Sequence, residues 1–353
     1  MTNVLTDNDI DTAAVVTNYN LEPSYGFSDG FRHYQYLAPD RYLGAPEDAN
    51  RLVAYNVYRL IHERYLSKTR EARFFYQDGN TVNQRAFEYL DARDEKPFFL
   101  WLHYMEPHDP FFDINGESYA RVASPYPPES LAEVYHTAYL DDVQLFDQAF
   151  GKLLKGLEAR GLLDSVHIVL TSDHGEEFAE HGGYYHGQTL YEEMLNIPLV
   201  ISGPAVTPAR RSDIARQVDV APTVVGLLGA LAHPSWEGRD LLGDTAAPAH
   251  TFASQNHQGQ VLESVRQTDE QSMKLITANP DNPRKLKTLE IYSLGEDAAE
   301  KNNIADAQPV LGKTLNDEIK AHYKRSETGG ATREQKVMAP EDEAELRALG
   351  YIE

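Results

Sequence analysis

Cysteine is absent from these 353 residues, which removes disulfides, thiolate metal sites and any cysteine nucleophile. No apolar run approaches the ~18 residues that a membrane-spanning helix needs. Positive charge is scarce: 32 Lys and Arg stand against 55 Asp and Glu, a formal net charge of -23. So acidic a surface repels a phosphate backbone, which argues against nucleic acid as a partner. An anionic membrane surface is disfavoured for the same reason. MTNVLTDNDIDTAAVVTNYN, the first twenty residues, has neither the basic n-region nor the apolar h-region of a signal peptide. It assigns no compartment. What is present, 41% hydrophobic and 25% charged residues, describes a globular chain. At this length it can bury a large core, with room for one big domain and a smaller one.

The first strand-like stretch is TAAVVT, Thr12 to Thr17, so the chain reads as if it began in mid-domain. Tyr19 to Ala45 is aromatic and rich in turn signals, and reads as loop. Glu47 to Leu66 has helical spacing in Val53, Val57, Leu60 and Ile61. A second helix starts near Asp78-Gly79-Asn80, with Val82, Ala86 and Leu90 on one face, and ends before Pro97. The apolar run from Pro97 to Leu102 has the pattern of a strand buried on both faces of a parallel sheet. Glu129 to Arg160 is a long amphipathic helix with Leu131, Val134, Ala138, Leu145 and Phe146 inward and Gly161 as its stop. Ile197 to Ser202 is another short buried strand, and Asp219 is placed to cap a helix through Leu228 with Pro222 in its first turn. Beyond about Ala247, short strands appear at His250–Ser254, Val261–Gln267, Met273–Ala278 and Leu286–Ser293. They suggest an antiparallel sheet, followed by a helix from Pro309 to Tyr323. Ser326 to Arg333 is a polar linker and Pro340 to Leu349 a short acidic helix. The expected divisions are therefore 1–246, 247–325 and 326–353.

The stretch Ser165 to Glu193 carries the most chemistry. Its strand, Val166 to Leu170, ends in Thr171, Ser172, Asp173, His174 and Gly175. Ligands gather beyond the carboxyl ends of strands in open α/β sheets. A carboxylate beside an imidazole there forms half of a metal site, and Gly175 lets the chain turn tightly. On that string alone, an Asp capping the next helix and a His satisfied by backbone is an equal alternative. His181 and His186 on the same glycine-rich excursion shift the balance. A second strand end delivers His103 and His108, on a loop stiffened by Pro107 and Pro110. Several imidazoles beside an acidic ligand suit an anionic ester, one of them protonating the leaving oxygen. Glu176 and Glu177 are assigned to a helix start, and Asp141 and Asp142 to a solvated helix face. Glu192 and Glu193 are assigned to an exposed helix face or to hydrogen bonds supporting the site. His33, His62, His136 and His167 show no partner pattern.

TSDHGEEFAEHGGYYHGQTLYEE resembles the sulfatases of the alkaline phosphatase superfamily. FFLWLHYMEPHDPF resembles their substrate loop. VDVAPTVVGLLG and WEGRDLLG look like the lead into their C-terminal subdomain, LEIYSLGEDAAEKNNIAD like a later signature, and ELRALGYIE like a common tail. All five are collinear. The resemblance implies an alkaline-phosphatase-like α/β fold: a mostly parallel sheet flanked by helices, with a smaller C-terminal antiparallel α+β subdomain. It also implies hydrolysis of a small-molecule or carbohydrate sulfate ester. Asp173 and His174 match a pair of divalent-metal ligands, for calcium first and magnesium second. His108 matches the sulfate-contacting histidine of a Pro-His-x-Pro loop, and His186 falls where many members place a sulfate-binding lysine. His103 is a weaker match. Phosphate or phosphonate esters, or a binding protein without catalysis, are the alternatives.

One part of the family's pattern is missing. Sulfatases attack with a formylglycine made from the Cys or Ser of Cys/Ser-x-Pro-x-Arg, and this sequence contains neither version. The family's first strand with two metal-binding aspartates is not found before TAAVVT either. The expectation is thus a sulfatase sequence short at its N-terminus and inactive by itself. The absent strand would be central, leaving its neighbours with unpaired edges.

Overall fold

A computed structural model describes residues 1–45, 52–62, 72–112, 119–120, 129–257 and 259–329. Helix α1 (Thr2–Asp7) leads into strand β1 (Asp11–Val16), whose six residues are all buried. Strand β2 (His33–Tyr36) interrupts the segment read as loop. Its alternating exposed and half-buried residues are polar and aromatic, so no apolar run marked it. Helix α2 (Val53–Ile61) lies inside the span read as Glu47–Leu66, the rest of which is outside the described residues. The expected apolar stripe is exposed there, at Val53, Val57 and Ile61. Helix α3 (Gly79–Ala92) begins where expected, with the Asp78 side chain accepting from Thr81 N–H at 2.8 Å. It buries Val82, Asn83, Ala86 and Leu90.

Strand β3 (Phe98–Leu102) joins β1 and β2 in a parallel sheet of order β2-β1-β3. All five of its residues are half-buried, not buried on both faces as the apolar run suggested. Among the described strands only β1 pairs with it, so its other edge lacks a neighbour. Phe31 covers part of one face, stacked 6.2 Å from Phe99 and 6.1 Å from Trp101. A small hairpin, β4 (Phe111–Phe112) with β5 (Tyr119–Ala120), precedes helix α4 (Ala132–Ala159). Helix α4 ends at Gly161, whose φ of 66° lets Leu162 N–H reach Leu157 O and Gly161 N–H reach Glu158 O. Its buried face is Tyr135, Asp142, Ala149, Leu153 and Leu157, while Val134 is exposed. Of the residues expected inward, Leu131 and Ala138 pack on the cluster of Phe111, Tyr135, Phe178 and Tyr184, and Leu145 and Phe146 are half-buried; only Val134 fails, its neighbour Tyr135 taking the buried position.

Strand β6 (Ile168–Thr171), the hairpin β7 (Glu177–Phe178) with β8 (Tyr184–Tyr185), the single turn α5 (Glu192–Leu195) and strand β9 (Leu199–Ser202) follow. β6 and β9 pair antiparallel with each other and with no other described strand. A shared cluster joins them to the parallel sheet: Leu90, Leu153 and Leu157 pack on Phe98 and Leu100 as well as on Val166 and Ile168. Helix α6 (Gln217–Leu227) starts earlier than expected. Arg216 is its cap, and Asp219, third in the helix, accepts Arg216 N–H at 2.9 Å. Pro222 consequently sits in the helix interior.

Strands β10 (His250–His257), β11 (Gln260–Gln267), β12 (Met273–Ala278) and β13 (Leu289–Ser293) form an antiparallel meander in that order. Their alternation sends successive side chains to opposite faces. Val265, Leu275 and Ile291 pack under helix α7 (Pro309–Gly329) through Leu315 and Ile319. Leu262, Ile276 and Tyr292 pack against Leu190 and Tyr191 from the segment that leads into α5. Helix α7 runs through Ser326 to Gly329, the start of the segment read as linker; the terminal helix at 340–349 lies outside the described residues. Leu275, fully buried beneath α7, is the clearest stability probe. Leu275→Ala should cost about 2–5 kcal/mol in denaturant unfolding. A loss under ~1 kcal/mol would mean that this face is not tightly packed.

Candidate active site

Two strand ends face one another here. β3 stays tied to the sheet to its last residue, His103 N–H donating to Val15 O at 2.9 Å. Thr17 Oγ1 lies 3.4 Å from His103 Nδ1 and donates to the His103 carbonyl. Beyond it the loop Tyr104–Pro110 carries cis peptide bonds at Glu106-Pro107 and Asp109-Pro110. This loop presents His108, whose backbone N–H donates to Asp142 Oδ2 of α4 at 3.3 Å. At the other strand end, β6 delivers Asp173, His174 and Gly175. Gly175 N–H donates to Met194 O, and a Cβ on Gly175 would sit 1.9 Å from Glu193 O, so no larger residue fits. Gln217 Nε2 of α6 donates to the carbonyls of Ser172 and Asp173, fixing the backbone behind that carboxylate.

Three imidazoles meet. His174 and His186 stack with ring centres 4.2 Å apart, and His108 approaches His186 at 5.3 Å. In each ring Nδ1–H donates to an acceptor that cannot itself donate: His108 to Asp109 O at 2.6 Å, His174 to Gly175 O at 2.8 Å, His186 to Glu176 at 3.2 Å. Those acceptors assign the tautomer and leave Nε2 as the reactive nitrogen of all three. Their electrostatics differ. Burial lowers the His108 pKa, and the neighbouring His186 lowers it further. Burial also lowers that of His103, against an opposing pull from the Asp173 charge. Burial acts to lower His186 too, but hydrogen bonding and charge from Glu176 outweigh it and the net shift is upward. The surroundings therefore favour the neutral form of His108 and His103 and the cationic form of His186.

Asp173 is the exposed member, its side chain 78% accessible with Oδ2 3.6 Å from His174 Nε2. The carboxylate and that Nε2 offer one hard oxygen and one nitrogen. They do not make a complete metal site. No group of three or more His, Cys, Asp or Glu that could hold an ion occurs among the described residues. Calcium takes six to eight oxygens and magnesium an octahedral set, far more than these two side chains offer.

His103, His108, His174, His186 and Asp173 thus lie in one region. His181 does not join them. Its Nδ1 is 2.6 Å from Glu193 Oε1, its Nε2 donates to or faces Glu300 O at 3.1 Å, and its ring stacks on Tyr191 at 3.6 Å. Both acidic pairs are placed differently from expectation. Glu176 and Glu177 begin no helix: Glu176 holds His186, and Glu177 is fully buried against Arg284. Asp142 is 0% exposed, not on a solvated face. Its spacing of seven from Tyr135 and from Ala149 was the available signal. Glu192 is likewise bound rather than exposed, between Arg266 and the buried Lys274.

No sequence pattern announced Arg284. Both of its terminal nitrogens donate to Glu177 at 3.0 Å, and they also reach Gln188 Oε1 and the His181 carbonyl. Glu177 in turn accepts Gly183 N–H at 2.9 Å. A residue between β12 and β13 therefore clamps the excursion that carries His186. Arg284→Gln should leave Glu177 buried and unpaired, costing about 3–5 kcal/mol and raising hydrogen exchange across residues 177–188. Unchanged stability and protection would show that the clamp is dispensable.

A model of the Sulfatase family matches residues 20–230. Arylsulfatase K of Xenopus laevis is 27% identical over 188 residues, covering 42% of this chain and 35% of that protein. The multifunctional alkaline phosphatase superfamily protein PehA of Trinickia caryophylli is 26% identical over 212 residues, covering 47% of this chain and 41% of that protein. The chain thus spans well under half the length of these relatives. Among solved structures, BT4656 in complex with its substrate D-glucosamine-2-N,6-O-disulfate superposes with a TM-score of 0.64. That match covers 93% of this chain and 82% of the other at 18% identity, a likeness of fold.

Proposed function

The chain belongs to the sulfatase family, and on that premise we propose that it carries the anion-facing side of a sulfuric ester hydrolase site. The stack of His174, His186 and His108 beside the exposed Asp173 is the observation that supports it. His186, whose cationic form Glu176 favours, binds a sulfate oxygen through Nε2–H. His108, with its proton on Nδ1, takes up a proton at Nε2 from solvent water and gives it to the departing alcohol oxygen. His103, buried against Thr17, fixes the strand end from which that loop springs. Asp173 and His174 are ligands for a divalent cation, calcium ahead of magnesium, whose charge would offset that of the sulfate when bound. That cation needs oxygen donors beyond these two, so no step is assigned to it. Neither Cys nor Ser-x-Pro-x-Arg occurs in the sequence, so the family's formylglycine has no counterpart here and the covalent step has no residue to carry it.

The substrate class is a sulfated carbohydrate, by likeness to BT4656 with its disulfated glucosamine. A phosphate or phosphonate ester is the second reading, and similarity to the multifunctional PehA favours it. Calorimetry on the purified chain separates the two, with a sulfated monosaccharide, its unsulfated parent and a phosphonate monoester as probes. The sulfated sugar should bind at least about tenfold tighter than the parent, and His186→Ala should remove about that factor. Equal binding of sugar and sulfated sugar would overturn the assignment, and preference for the phosphonate would favour the second reading. No turnover of an aryl sulfate is expected from this chain alone; measurable hydrolysis would refute its inactivity.

A further inference from the structure

In and behind the His108 loop lie three buried oxygens with no hydrogen-bond partner among the described residues: Glu106 Oε2, Asp142 Oδ1 and Tyr76 Oη. Glu106 is 8% exposed, Asp142 0% and Tyr76 2%. The other oxygen of each carboxyl is committed to backbone. Glu106 Oε1 accepts Gly79 N–H at the start of α3 at 2.8 Å, and Asp142 Oδ2 accepts His108 N–H at 3.3 Å. The loop is therefore held at two points, by its own Glu106 carboxyl reaching α3 and by the Asp142 carboxyl of α4, and the charge of both raises the pKa of the buried Tyr76.

We propose that Glu106 and Asp142 are positioning residues for His108, a buried acid pair that pins the loop while it holds a proton and loosens it when both members are charged. This deepens the proposed role of His108 and rests on it. The charge of Glu106 acts on Asp142, and the charges of both act on Tyr76. A single added proton removes one of two like charges from a low-dielectric space. The titratable groups facing the pair are Asp78 at the start of α3, Asp109 in the loop, and Tyr76, Tyr104 and Tyr139. Every one of these described groups is neutral or anionic, and none of them stabilises the doubly charged form. Burial, then the charge of Glu106, lifts Asp142 to about 8; burial, with a smaller contribution from Asp78, lifts Glu106 to about 7.

The sign of the effect is fixed by linkage. Between the ordinary carboxylate range and about pH 8 the folded chain binds more protons at this pair than the unfolded chain does. Stability therefore falls as pH rises through that window. Asp142→Asn and Glu106→Gln keep shape but cannot ionise.

Two measurements on the full chain test the pair. In the first, the melting temperature and the exchange protection of the His108 and Phe112 amides, both hydrogen-bonded to Asp142, are followed from about pH 5 to about pH 9. The native chain should lose both progressively, and the double variant Glu106→Gln/Asp142→Asn should lose them less steeply, keeping only the slope that the histidines contribute. Parallel profiles in native and variant chains would overturn the proposal, as would a flat native profile. The second is binding of inorganic sulfate at about pH 6, where Asp142→Asn should stay within about twofold of native and Asp142→Ala should lose about tenfold. Equal binding by Asp142→Ala and native chain counts against positioning. If the native chain binds no sulfate at all, the functional reading of the site fails, while amide protection still decides whether the pair holds the loop.

Discussion

The buried ion pair between Glu177 and Arg284 is the contact on which the histidine cluster most depends. Residues 172 to 191 contain only a two-residue hairpin of regular structure, so backbone hydrogen bonding cannot fix their course. Charge does so instead. Glu177 is fully buried, so its desolvation must be offset, and the two guanidinium nitrogens of Arg284 do this while adding bonds to Gln188 and the His181 carbonyl. A few residues on, Glu192 repeats the device with Arg266 and Lys274, and Lys274 also reaches Glu300. The antiparallel sheet is thus the wall against which the excursion is set. His186 reaches His174 because residues on both sides of it are anchored there.

The other strand end is set by a different means. The loop carrying His108 relies on carboxyls that accept backbone N–H groups, and those carboxyls lie among tyrosines with no cation facing them among the described residues. One side of the cluster is held by compensated charge and the other by acids poised to keep a proton. This division also explains the unlike electrostatics of the two histidines. Glu176 favours the charged form of His186, whereas burial and then the neighbouring His186 favour the neutral form of His108.

The main elements could be read from the sequence because their signals are local. The Asp78 cap, the Gly161 stop, the apolar β3 and the alternating strands of the C-terminal sheet each follow from a few neighbouring residues, and the structure has them. The failures share a cause as well. Polar β2 is a strand because β1 offers it an edge. Asp142 is buried because the loop needs an acceptor there. Glu176 and Glu177 looked like a helix start and are instead partners of His186 and Arg284, the latter more than a hundred residues away. Val134 was taken as inward because neighbouring spacings compete along a helix of 28 residues.

The sequence by itself determined the family, the α/β class and which short strings bring Asp173, His174, His108 and His186 to loop positions, since strand ends and stiff loops are encoded by contiguous residues. Only the tertiary structure decided that His181 leaves the cluster while His186 enters it. It also decided that Asp173 stands exposed, accepting the His174 backbone N–H and lying beside its Nε2, and that Arg284, Glu106 and Asp142 govern the arrangement. These are questions of which distant charges share a buried space, and no local pattern of residues records that.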